Sequence, residues 1–240
     1  HQLGGRGGTA KMAHLALIAK DEEGYGNLMR LSSRAWLDNA GVAEPHVAFA
    51  ELEARGAGLI CLTGGPGGPV NEALADGQAE LAEERLVALQ AVFGDRLYVE
   101  LQRHGTEPER IAEPGLIDLA IRHALPLVAT NEPYFAHTDD FAAHDALICI
   151  AEGEVMAEED RRRLTPEHYF KSAKEMAALF VSFAQRYSLS ASPFRSRIVP
   201  RKHSSGSSKQ AALAPSQRLS PLRLEDWKSG SDLSRTRCSK

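Results

Sequence analysis

Residues 97–105 read LYVELQRHG, and the fold follows from this stretch and its neighbours. The first five of these residues are apolar or aromatic apart from Glu100, which predicts a buried strand. A helical pattern follows over 107–124, and LPLVAT (125–130) predicts the next strand. A strand, a helix of more than ten residues and a second strand predict two parallel strands joined by a crossover helix.

The same alternation extends on both sides of this unit. HLALIA (14–19) and GLICLTGG (58–65) are further predicted strands. Helical patterns cover 22–37, 70–93 with a break at Asp76-Gly77, 138–151 and 172–180. The sequence therefore predicts the α/β class, with parallel strands and crossover helices. Four strands make an incomplete barrel, so we expect a partial one.

Several helix ends can be placed from local signals. Thr106 with Glu109, and Ser172 with Glu175, are spaced as capping boxes. Gly94 stands where a helix C-cap belongs. In the helix over 22–37, the apolar residues are expected on one face; they are Tyr25, Leu28, Met29, Leu31, Ala35 and Trp36.

Charge divides the 240 residues into two parts of opposite sign. Residues 182–240 hold 12 Lys or Arg and 3 Asp or Glu, a net charge of +9, and 15 serines. The preceding residues hold 16 basic and 29 acidic side chains, a net charge of −13. We therefore predict a Gly-rich lead-in (1–13), a folded domain (14–181) and a Ser/Arg-rich basic tail (182–240) that is disordered or frame-shifted. A tail that binds nucleic acid is the alternative.

The cysteines and the apolar runs indicate a cellular setting. Cys61 and Cys149 lie in apolar segments, where free cysteine behaves as a small hydrophobe, and Cys238 is remote from both. Their spacing predicts neither a disulfide framework nor a zinc site. No apolar run approaches the roughly 18 residues of a membrane span. We expect a cytoplasmic protein with no membrane partner.

Candidate site residues gather where predicted strands end. Glu100 and His104 close one strand, Glu132 follows the next, and His144 lies on the helix beyond. Because ligands collect at the carboxyl ends of parallel strands, these side chains could hold the metal ions of a phosphoesterase. The structural alternative is that Glu100 pairs with a cation and His104 caps a turn. Spacing alone leaves both interpretations open.

The glycine- and proline-rich segment 64–69 follows a predicted strand, as a phosphate-binding loop would. It lacks the Lys-Ser/Thr pair of a P-loop, and its two prolines remove backbone donors. We predict a tight turn. The run Arg161, Arg162 and Arg163 could contact phosphate, although a solvated loop is the expectation.

Six segments occur in an order and at spacings that resemble the polymerase-and-histidinol-phosphatase (PHP) domain of bacterial DNA polymerase III alpha subunits. They are HLALIAKDEEGYGNLMRLSSRAWL, GLICLTGGPGGP, FGDRLYVELQRHG, LPLVATNEPYF, AHDALICIAEG and RRRLTPEHYFKSAKEMAALF. The resemblance runs from about Met12 to Phe180. It implies an internal fragment of the N-terminal PHP domain, which is a distorted (βα)7 barrel in that family.

The resemblance also implies what the complete protein does. A full-length member catalyses DNA-directed DNA synthesis in replication with Mg²⁺, and its partners are DNA, the sliding clamp and the epsilon proofreader. The polymerase aspartates belong to a domain that this sequence does not reach, so no catalytic residue and no cofactor are expected in the segment. Zn²⁺ or Mn²⁺ would bind only if the PHP metal site were intact.

The sequence departs from the family at that metal site. The His-x-His motif of the family would lie upstream of residue 1, and its Asp-x-His motif corresponds to Glu132-Pro133-Tyr134. A phenol titrates near 10, so Tyr134 cannot replace an imidazole ligand at neutral pH. His104 matches a family position associated with metal.

We therefore regard four residues as a vestigial metal set: His104, Glu100, Glu132 and His144. The domain is then expected to be a scaffold without its own catalysis. A metal-dependent phosphoesterase or 3′–5′ exonuclease is the first alternative. A nucleic-acid-binding protein that acts through the basic tail is the second.

Overall fold

The computed structural model describes residues 12–38, 45–186 and 222–223, with side chains up to residue 181. The lead-in over 1–13 and the tail over 182–240 fall almost entirely outside these ranges. Strands in the described ranges are β1 (Met12–Ala13), β2 (Ala16–Ala19), β3 (Leu59–Leu62), β4 (Leu97–Leu101), β5 (Leu127–Ala129) and β6 (Leu222–Arg223). Helices are α1 (Glu22–Leu37), α2 (Phe49–Arg55), α3 (Pro69–Ala75), α4 (Ala79–Phe93), α5 (Glu107–Arg122), α6 (Phe141–Glu152) and α7 (Ala173–Arg186).

The main sheet has the strand order β2-β3-β4-β5. β3, β4 and β5 are parallel neighbours, and helices α3, α4 and α5 form the crossovers between them. This confirms the predicted α/β class with parallel strands. Within the described part of the chain the sheet stays open at β2 and β5, and β1 pairs separately with β6.

β2 differs from the predicted parallel arrangement, because it runs antiparallel to β3. Two helices, α1 and α2, lie between these strands and return the chain to the point where β2 ended. There Lys20 N donates to Gly58 O at 2.8 Å, and Asn27 Nδ2 donates to Ala57 O at 3.0 Å. β3 therefore starts beside the last residue of β2 and runs in the opposite direction.

The core lies between the sheet and helices α3, α4 and α5. β4 contributes the fully buried Leu97 and Val99, and α4 contributes Leu86, Leu89 and Phe93. A central parallel strand that is covered by helices is expected to be mostly apolar, as β4 is. Cys61 is also buried and free, which agrees with its predicted role as a small core side chain.

The predicted apolar face of α1 is wrong for three of its members. Leu31 and Ala35 are buried, but Tyr25, Met29 and Trp36 are more than half exposed. The packed face instead includes Gly24, whose missing side chain lets the helix approach β3. A Cβ at Gly24 would lie 1.8 Å from Gly58 O, so this contact orients α1.

Helix ends follow the local signals closely. The capping box of Ser172 with Glu175 is formed in both directions, and in that of Thr106 with Glu109 the Glu109 carboxylate accepts from Thr106 N at 3.0 Å. Gly94 is the C-cap of α4 with φ 56°, and α3 and α4 separate at Asp76-Gly77. α2 was not predicted, because its seven residues are too few for a helical period to stand out. Among the helices described here, none is long and apolar enough to cross a membrane.

Candidate metal centre

Glu100 lies at the end of β4 and joins three strand ends. Its side chain is buried, and one carboxylate oxygen accepts a hydrogen bond from Gly64 N, which follows β3, at 2.9 Å. The other oxygen accepts from Gln102 Nε2 at 3.1 Å and from the hydroxyl of Thr130, which follows β5. The expectation that Glu100 pairs with a cation is therefore wrong, because the Glu100 carboxylate accepts hydrogen bonds from three neutral donors instead.

Gly64 provides that donor because of its own conformation. Its φ is 94°, and a Cβ there would lie 1.8 Å from His14 O. The chain then forms a short 3-10 turn over Gly65–Gly67 and enters α3 at Pro69. The segment is the tight turn that the sequence predicts, and its first glycine donates inward to Glu100.

His104 is 2% exposed and is held from both ring nitrogens. Nδ1 lies 2.7 Å from Glu109 Oε1, and Nε2 lies 3.1 Å from Asn131 Oδ1. The backbone N of Glu132 also points at Nε2, at 3.3 Å. Since each ring nitrogen already has a partner inside the protein, neither presents a free lone pair to a metal ion.

Glu109 is the anchor of this histidine. Its carboxylate accepts hydrogen bonds from the backbone N of His104 at 2.8 Å and of Thr106 at 3.0 Å, in addition to its contact with the ring. Burial opposes ionisation of Glu109, but the hydrogen bonds from the His104 ring and from both backbone N–H groups outweigh burial and lower the pKa. The first turn of α5 is thereby tied to the end of β4.

His168 completes the cluster. Its ring stacks on His104 with centroids 4.1 Å apart, and Thr165 Oγ1 donates to His104 O at 2.6 Å. Burial, and then the charge of His104, lower the pKa of His168. Asn131 Nδ2 donates to Tyr169 O at 2.8 Å and holds the same segment. Sequence reasoning missed Glu109 and His168 as members of the site.

Signals for these two residues were weak. Glu109 was recognised as part of a capping box, which is a local role, and the same carboxylate also reaches the His104 ring. His168 lies 64 positions beyond His104, in a segment with no regular pattern. No spacing pattern in the sequence indicates that two rings so far apart in the chain will stack on each other.

Glu132 contacts His104 through its backbone N, whereas its side chain and the ring of His144 make other contacts. The Glu132 side chain is exposed, and its carboxylate accepts from Tyr134 OH at 2.8 Å. The Tyr134 ring lies edge-on between His144 and His168, 5.8 Å from each ring centroid. His144 Nδ1 has no hydrogen-bond partner.

Among the described residues, no three His, Cys, Asp or Glu side chains are arranged to hold a metal ion. The consecutive residues Thr130 and Asn131 contact Glu100 and His104, respectively. The donor set does not fit a bound metal, and a metal role for these residues stays a prediction.

Two other groups near the site have structural roles. Asp145 forms a bidentate pair with Arg161 at 2.7 and 2.6 Å, which lowers the pKa of Asp145. The Arg161 side chain is 2% exposed, so the expectation of a solvated loop is wrong at this position. Burial, followed by the nearby charge of Glu100, raises the pKa of the Cys61 thiol, which therefore stays protonated.

Comparison with known proteins identifies the relatives of this chain. The PHP domain family matches residues 4–104. DNA polymerase III subunit alpha of Caulobacter vibrioides (strain NA1000 / CB15N) is 48% identical over 176 residues, which are 73% of this chain and 15% of that protein. The proteins of the same name from Rickettsia bellii and Treponema pallidum are 40% and 37% identical, each over 72% of this chain and 15% of the relative.

The chain thus spans about 15% of the length of the curated relatives that it matches. Similarity at this level across most of the chain agrees with the resemblance carried by the six sequence segments. We conclude that this chain is similar over most of its length to a segment of the DNA polymerase III alpha subunits, and that its residues 4–104 match the PHP domain family.

Proposed function

We propose that this chain is a segment of the catalytic alpha subunit of the bacterial replicative DNA polymerase, and that its PHP portion is a scaffold without catalysis of its own. The full-length protein would carry out DNA-directed DNA synthesis in replication, with Mg²⁺ at an active site outside this segment. Its partners would be DNA and replisome subunits such as the sliding clamp and the epsilon proofreader. A cytoplasmic location follows from that role.

The scaffold proposal rests on one observation: the side chains of His104 and Glu100 make hydrogen bonds to groups inside the protein. A catalytic metal ligand must offer a lone pair to the ion, whereas both nitrogens of His104 face protein groups. Glu100 accepts hydrogen bonds from the residues that follow β3 and β5. Buried polar groups that are satisfied in this way hold a unique arrangement of strand ends, which is a structural task.

Metal loading and hydrolysis test the proposal directly. The purified chain would be incubated with Zn²⁺ or Mn²⁺, freed of excess ion and measured by inductively coupled plasma mass spectrometry. Hydrolysis of p-nitrophenyl phosphate and of 3′-labelled single-stranded DNA would be followed in parallel. We expect no stoichiometric metal and no hydrolysis above a blank, because no three His, Cys, Asp or Glu side chains of the described residues form a group that could hold a metal ion.

A matched pair of variants makes the outcome specific. His104→Gln removes the buried imidazole. His123→Gln removes a half-buried imidazole at the far end of α5, where it pairs with Glu83 of α4. If the unchanged chain and His123→Gln bound metal stoichiometrically and His104→Gln did not, the scaffold proposal would be rejected. A metal-dependent phosphoesterase would then be favoured.

A further inference from the structure

Helix α6 has apolar residues on both sides, and the described residues bury only one side. Asp145, Ile148 and Cys149 form its buried side. The outward residues, at helical spacing, are Ala143, Leu147, Ile150 and Ala151, which we name the α6 face. Leu147 is 61% and Ile150 is 78% exposed. A helix that is hydrophobic all round is normally buried all round, so the α6 face is expected to have a cover.

The apolar surface continues past the end of the helix. Gly153, with φ 75°, is the C-cap of α6 and turns the chain. Val155 and Met156 follow and are both more than half exposed. Four large exposed apolar side chains thus occur within ten residues. Exposed apolar side chains that are grouped along the chain in this way favour an interaction site.

Acidic side chains border the same surface. Glu152 is paired with Arg162 at 3.4 Å, and Glu154 feels the charge of Arg161, which is itself paired with Asp145. Hydrogen bonding to the Glu158 carboxyl, and repulsion from its charge, raise the pKa of Glu154. Arg163 reaches only the backbone O of Glu158. A cation brought by a partner would relieve this crowding of negative charge.

We propose that the α6 face, together with Val155 and Met156, is the docking surface for a cationic amphipathic helix of a partner protein. The apolar stripe at positions i, i+4, i+7 and i+8 is the shape against which a second helix packs. Basic side chains beside the partner's apolar stripe would meet Glu154 and Glu158. This surface is separate from the His104 cluster, and the proposal does not depend on the proposed function.

The charge of the border excludes two other occupants. Nucleic acid would bring phosphates against the carboxylates of Glu154 and Glu158, and like charges repel. A second copy of this chain would pair the two acidic borders with each other in a two-fold contact. Both arrangements add negative charge where the surface already has an excess.

Two synthetic probes test the proposal on the full chain. One is a fluorescent Leu/Lys amphipathic helical peptide, and the other carries the same leucines with Glu in place of Lys. Binding would be measured by fluorescence anisotropy for the unchanged chain, for Leu147→Gln/Ile150→Gln and for Glu154→Gln/Glu158→Gln. Val87→Gln/Ile121→Gln is the control, because Val87 and Ile121 are also exposed apolar side chains of helices. Thermal unfolding of each variant would verify that it folds.

We expect the Lys peptide to bind and the Glu peptide to bind at least about tenfold more weakly. Leu147→Gln/Ile150→Gln should weaken the Lys peptide by about tenfold or more, because two anchors are lost. Glu154→Gln/Glu158→Gln should weaken it several-fold and reduce its salt dependence, and the control should bind as the unchanged chain does.

Three results would overturn the proposal. The first is no binding of the Lys peptide, and the second is binding that the α6 variants and the control affect equally. The third is a dimer in sedimentation velocity that Leu147→Gln/Ile150→Gln abolishes, which would assign the α6 face to a second copy of the chain.

Discussion

Replacing Glu109 by glutamine should lower the free energy of unfolding by about 2–4 kcal/mol at neutral pH. The Glu109 side chain is 5% exposed and accepts three hydrogen bonds, two from His104 and one from Thr106 N, at 2.7 to 3.0 Å. Glutamine keeps one acceptor oxygen and turns an NH₂ group toward a donor. A charge-assisted hydrogen bond contributes about 1.5–3 kcal/mol, and a donor left unsatisfied in the interior adds about 1–3 kcal/mol.

The effect should depend on pH in a defined direction. The pKa of Glu109 is lowered in the folded protein, because its hydrogen bonds outweigh the opposing effect of burial. A carboxyl with a lowered folded pKa stabilises the protein above its unfolded pKa, about 4.3 for glutamate. That contribution is lost as the pH falls through the folded pKa. The stability difference should therefore be full at neutral pH and shrink below about pH 4.3.

Urea unfolding followed by far-UV circular dichroism would measure the difference at several pH values. Glu107→Gln is the matched control, since Glu107 lies in the same first turn of α5 but its side chain is 62% exposed. We expect this control to unfold at the same urea concentration as the unchanged chain. Equal effects of the two substitutions, or a Glu109→Gln effect that persists unchanged at low pH, would refute the assigned role of Glu109.

Three further outcomes follow from the described contacts. Arg103 pairs with Glu113 and lies 4.6 Å from the centroid of the Phe180 ring. Arg103→Met should therefore lower the free energy of unfolding in urea by about 1–2 kcal/mol. An unchanged free energy of unfolding would mean that α7 is not held by this contact. Gly64→Ala should cost about 3 kcal/mol or more, because φ is 94° and the new Cβ would meet His14 O; a thermal midpoint equal to that of the unchanged chain would contradict this. Cys61 should resist iodoacetamide until the chain unfolds, since burial and a nearby charge raise its pKa; rapid labelling of the native chain, detected by peptide mass spectrometry, would exclude a buried thiol.

Features that depend on near neighbours in the chain were predictable. Both capping boxes join residues three positions apart, and Gly94 ends α4 through its own φ. The bounds of α1 agree with the helical pattern over 22–37. Alternation of apolar runs with such helices was enough to predict the α/β class, because parallel strands need long crossovers.

Candidate ligands were predictable as residue types at strand ends, but their partners were not. Glu100 and His104 do lie where the parallel strands end, as expected for an α/β sheet. Whether those side chains face a metal, a cation or each other depends on Gly64, Asn131 and Glu109, which contact them across turns and strands.

Residue order and local physical chemistry thus account for the elements, their ends and the class of the fold. Three features depend on packing between distant parts of the chain: the antiparallel direction of β2, the exposed face of α1, and the closed partners of His104. Contacts between distant residues contribute to each of them, such as Gly24 against Gly58 and His168 on His104, although Glu109 reaches His104 from only five positions away. Spacing along a helix or strand carries no information about such contacts, because they form only when separate elements meet in the folded chain.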